Sequence, residues 1–124
     1  MRLPLLMAAG LAIVLAAAHS YLGERYLLLR LFRREDLPKL LGGVDFTKQT
    51  LRFAWHITSI AWLGLASLLV VLASSPGAAQ VTQARLIAAT FGLSGVVAFF
   101  GSRGRHLSWL AFFSIAGLVW FGYP

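Results

Sequence analysis

Few side chains in this sequence are equipped for chemistry, and three histidines head them: His19, His56 and His106. Imidazole changes charge near neutral pH, and its neutral form ligates zinc, iron, copper or nickel. Three protein imidazoles also make the ligand set of a catalytic zinc site that keeps one position open. Glu24 follows His19 by five residues. A carboxylate there would serve as a fourth ligand, a general base or an orienting partner for a ligating ring. Five residues turn a straight helix by ~140°, so Glu24 reaches the site of His19 only where the helix ends or bends at Gly23. Paired histidines on facing helices would equally hold a haem. The cofactor stays unassigned, with a transition metal or haem as the candidate. No HExxH motif is present, and no two histidines lie one helical turn apart. Structural work, as helix caps or headgroup hydrogen-bonders, is the competing reading of all three.

A second group is basic. Arg52 lies four residues before His56, on the same helical face, and the two together suit a phosphate or a carboxylate. Arg103 and Arg105 approach from another connection, so Arg52, His56, Arg103 and Arg105 are candidates for an anionic headgroup or ligand. Ordinary anchoring of a membrane protein by its basic loops is the competing reading. Nucleophilic chemistry has little support. His19 is next to Ser20, but adjacent helical residues point apart, and both aspartates lie in a polar loop. Gly101-Ser102-Arg103-Gly104 is too short for a phosphate loop and lacks the lysine.

The elements that must position these groups follow from composition. Of 124 residues, 59% are hydrophobic and 12% charged, against roughly 25% charged in a typical soluble domain. A soluble protein this small needs far more polar surface, and disorder needs lower hydrophobicity. The absence of cysteine removes disulfides and thiolate chemistry. The formal charge of +7 comes with no nucleic-acid reading motif, so the expected partners are membrane lipids with anionic headgroups, not nucleic acid.

Four apolar segments are expected to span a membrane, at about residues 3–22, 54–73, 82–101 and 106–122, in a single transmembrane domain. The first is long enough, at ~1.5 Å per residue, for ~30 Å of hydrocarbon. A signal peptide is its rival. Cleavage near Ala16-Ala17-Ala18 would export the most basic part of the chain, which favours an uncleaved span. The last segment is short for a span. The connection 23–52 holds seven basic and four acidic residues, and 101–105 adds Arg103 and Arg105. The positive-inside rule puts both connections in the cytoplasm and both termini outside. The expected fold is all-α: an integral membrane four-helix bundle, N-out and C-out, in the inner or plasma membrane. A short amphipathic interfacial segment, or a continuation of the first helix, is expected around Tyr26–Phe32.

Small residues recur every four positions at Ala8, Ala12 and Ala16 and at Ala84, Ala88 and Gly92. Such stripes let helices approach closely, within the chain or against a second protomer or larger complex. The last span and its approach are rich in aromatic residues, which suits bundle filling and a lipid-facing belt. No acidic residue stands at mid-membrane, which disfavours a monomeric coupled transporter. The functional expectation is an accessory, assembly or lipid-associated membrane subunit, in a homo-oligomer or larger complex. Its alternatives are a small enzyme or redox protein using the histidines, and an oligomeric pore.

Overall fold

A computed structural model describes residues 2–41, 43–74, 80–102, 104 and 107–123. They form four helices, and the only strand-like pairing among them is a bridge between Leu40 and Gly43. Helix α1 runs continuously over Leu3–Leu31, α2 over Val44–Ser74, α3 over Gln80–Ser102 and α4 over Ser108–Gly122. The first three are long and apolar enough to cross a membrane. The fourth has 15 residues, ~22 Å of helix, and falls short of a ~30 Å hydrocarbon layer.

Helix α1 starts with Pro4, whose fixed φ and missing N–H suit a first turn. It is α-helical over Leu3–Leu22, π-helical over Gly23–Leu28 and α-helical again over Leu29–Leu31. The stretch from Tyr26 is therefore the last part of α1 and not a separate interfacial helix. Its apolar residues and the good helix former Arg30 leave nothing to stop the helix before Phe32. The chain then leaves the helix, and Pro38 keeps Leu37 out of helical geometry. Thr47, buried in the first turns of α2, clamps this segment. Its hydroxyl donates to the Pro38 carbonyl and accepts from the Leu40 N–H at 3.2 Å. Helix α2 thus begins at Val44, ten residues before the apolar segment it contains.

The helices pack in the order α2, α1, α4, α3, with α2 and α3 touching only lightly. Leu5, Ala8, Ala9, Ala12 and Ala16 of α1 are all buried, as are Ala84, Ala88 and Phe91 of α3 and Ile115 and Val119 of α4. Both small-residue stripes thus lie within the chain's own core, with Gly92 beside Ala116. Helix α4 comes so close to the start of α1 that a side chain at Gly122 would fall against Pro4 and Leu5. The outer surface remains apolar, with Leu3, Val14, Ile60, Leu86, Leu93 and Phe121 all well exposed. So continuous an apolar exterior marks a surface that something other than water covers.

Candidate functional site

The polar side chains gather where α1 changes helical type. A π turn shifts the hydrogen-bond ladder by one residue and leaves a carbonyl needing another donor. Here the Gly23 N–H reaches both the His19 and Ser20 carbonyls, and the Trp55 indole N–H donates to the His19 carbonyl at 3.0 Å. The indole lies directly over Gly23, where any side chain would collide with it. Gly23 and Trp55 therefore form one joint between α1 and α2.

On one side of that joint runs a chain of polar contacts. Ser20 and Glu24 are one helical turn apart on α1, and Arg52, His56 and Ser59 follow one another at turn spacing on α2. Glu24 accepts from Arg52 Nε at 3.2 Å, and its other oxygen lies 2.9 Å from Arg52 Nη2. His56 Nε2 lies 3.2 Å from Glu24 Oε2, and Nδ1 lies 2.9 Å from Ser20 Oγ, which is bonded to Ser59 Oγ at 2.8 Å. The anion that Arg52 and His56 hold is thus the chain's own Glu24 carboxylate. Arg52 and His56 share one helical face, as their spacing implies. The identity of the anion was not legible in the sequence, because it sits 28 residues from Arg52 on another helix.

Ser20, His56 and Glu24 stand in the hydroxyl–imidazole–carboxylate order of a nucleophilic triad, which reading Ser20 beside His19 misses. The i, i+4 spacing of Ser20 and Glu24 was the available signal. Ser20 sits inside a continuous helix, where backbone N–H groups are committed to the ladder. The α1 backbone around Ser20 therefore offers no oxyanion donors, and the contacts tie α1 to α2.

On the other side of the joint, His19 stacks on Trp55 with ring centroids 4.4 Å apart and meets the edge of Trp62 at 4.9 Å. The π turn sends Glu24 to Arg52 and His56, while His19 faces the two tryptophans. His106, Arg103 and Arg105 lie outside the described residues. Among the described residues, no three His, Cys, Asp or Glu side chains gather as a metal-binding group.

Beside His19 opens a groove of about 1040 Å³. All four helices line it: Ala18, His19 and Leu27 from α1, Trp55 and Trp62 from α2, Ala98 from α3, and Ala111 and Phe112 from α4. The space exists because α1 and α2 continue past the start of α4. Most of the lining is apolar, and the hydroxyls of Thr58 and Ser94 are turned back onto the Ala54 and Thr90 carbonyls of their own helices. A space of this size with an apolar wall and few polar groups has the character of a ligand site.

The loop beyond α1 carries a local ion pair between Arg34 and Asp36, with Nε to Oδ1 at 2.8 Å. The hydrogen bonds from Arg34 hold the Asp36 carboxyl below the usual carboxylate range. The chain matches no protein-family model, no curated protein and no solved structure. Its own residues therefore carry the functional reading.

Proposed function

We propose that the chain is a four-span protein of the inner or plasma membrane, with both termini outside, that acts as a lipid-associated accessory subunit. One observation carries this reading: the apolar groove of about 1040 Å³ runs along α1 toward the end where α1 enters the basic connection 23–52. Basic residues favour the cytoplasmic face, so the groove faces the inner leaflet. A long apolar chain would fill it, and Trp55 and Trp62 would sit at the depth where indoles favour a membrane interface. Helix α4 would span by drawing on residues at its ends or by local thinning of the bilayer.

The test is lipid analysis of protein purified in mild detergent. Retention of lipid at a fixed ratio to protein, lost when Ala18→Phe fills the groove, is the expected result. Lipid content that is variable and indifferent to Ala18→Phe would refute the reading.

One observation favours a second reading, a histidine-ligated metal. Glu24 Oε2 and His56 Nε2 stand 3.2 Å apart, the separation of neighbouring ligands around a tetrahedral ion with ~2.0 Å bonds. Ser20 on Nδ1 supplies the orienting bond such a ring needs. Arg52 on the same carboxylate opposes a cation, which ranks this reading second. Metal analysis of the purified protein decides it: a stoichiometric ion lost in His56→Ala supports the site, and no ion removes it.

A further inference from the structure

Resting on the lipid reading, we infer that the groove selects lipids by charge: its occupant is an acyl chain of an anionic phospholipid, with the headgroup held by Arg25 and Arg30. Three observations converge. The groove runs along α1 from Leu15 to Leu27, so its basic end lies level with the π turn and opens beside the last turns of α1. Those turns carry Arg25 and Arg30, both exposed, with guanidinium carbons 5.9 and 6.0 Å from the centre of the Tyr26 ring. Neither has a carboxylate partner among the described residues, whereas Arg34 and Arg52 are occupied by Asp36 and Glu24.

The pairing of Glu24 with Arg52 is what leaves the site its sign. Glu24, the one carboxylate beside the groove's α1 lining among the described residues, is paired with Arg52, which leaves Arg25 and Arg30 to present positive charge there. Tyr26, in reach of both, adds a ring at headgroup depth. A lipid whose chain lies along Ala18, Leu22 and Leu27 has its phosphate brought to this pair, and each exposed cation near the surface favours an anionic lipid by about fivefold. A zwitterionic lipid gains the same apolar contact without that preference.

The experiment uses the full chain carrying Trp109→Phe and Trp120→Phe, which leaves the groove tryptophans Trp55 and Trp62 as the only indoles. It is reconstituted in vesicles whose minor component is phosphatidylglycerol or phosphatidylcholine with dibrominated chains. Bromine quenches indole fluorescence on contact, so the quenching curve reports occupancy of the groove. The expected result is half-maximal quenching at an at least fivefold lower fraction of the phosphatidylglycerol. Arg25→Gln with Arg30→Gln should bring the two curves together while leaving quenching itself intact. Far-UV circular dichroism confirms that these variants keep their helices, and singly substituted Arg30→Gln serves if the pair does not fold.

Superimposed curves for the two lipids in the parent protein would overturn charge selection while leaving the lipid reading standing. A preference that survives in both arginine variants would overturn the assignment to Arg25 and Arg30. Quenching no greater than in an Ala18→Phe version would show that no chain enters the groove, and the lipid reading itself would fall.

Discussion

Near Arg2 and Tyr123 the bundle closes on small residues, whereas near Gly23 and Trp55 directional bonds tie α1 to α2 beside an open groove. At the first end, Leu5, Ala8, Ala9 and Ala12 are buried against partners on α2 and α4. The Arg2 N–H donates to the Ala73 carbonyl at 3.2 Å, and the Arg2 guanidinium lies 3.8 Å over the Tyr123 ring. Tyr123 Oη donates in turn to Gln80 at 3.0 Å. At the second end, α1 and α2 are joined by Trp55 over Gly23 and by the polar chain through His56, and beside that joint lies empty apolar space. Contact alone fixes helices whose backbones come close, as dispersion requires in lipid. Where one side of the bundle lacks packing partners across a groove, hydrogen bonds and an interlocked ring fix the two helices that remain in contact.

This contrast can be broken first at Gly23. Gly23→Ala drives a methyl into the Trp55 indole and should cost about 3 kcal/mol, the upper part of the range for overpacking. Thermal unfolding in one detergent, read with tryptophan emission, checks it. An unchanged melting temperature and spectrum would mean that the joint is not rigid.

A matched pair sharpens the comparison. Ala12→Leu in the closed half should cost about 2 kcal/mol, because no space exists for the added carbons. Ala18→Leu, projecting into the groove, should cost less than about 0.5 kcal/mol, as an ordinary surface change does. Equal losses would show that the two halves are packed alike.

Smaller again is the coupling between Glu24 and His56. A double-mutant cycle with Glu24→Gln and His56→Ala should return about 1 kcal/mol, in the range of polar contacts between helices in membranes. Additive losses would show that the pair holds nothing. Smallest is Tyr123→Phe, which removes one hydrogen bond to Gln80 but keeps the ring under Arg2. A loss of about 0.5 kcal/mol is expected, and a loss as large as that of Ala12→Leu would move the weight of the closed end from packing to the clasp.

The helices were legible because composition and spacing dictate them. The polar loop around Pro38, the apolar runs and the alanine stripes place four helices without tertiary information. The continuation of α1 past Leu22 was legible only as one of two options, since the packing of Trp55 over Gly23 comes from another helix. Within the site, Arg52 and His56 were readable as an anion-binding pair because they share a face of one helix. Ser59 shares their face at turn spacing, but Ser20 and Glu24 were not readable as partners of this pair, since only the antiparallel register of α1 and α2 brings them together. The groove had no sequence signal at all: it arises from the unequal reach of α1 and α4.

The central claim is that both basic connections stand at one membrane face, which gives the groove its leaflet and its charge. The chain has no cysteine, so single cysteines report without background. Leu41→Cys and Leu107→Cys place thiols at exposed positions beside the two connections. A membrane-impermeant maleimide should leave both unlabelled in intact cells and label both in inverted membrane vesicles. Labelling of one from outside and the other from inside would contradict the account.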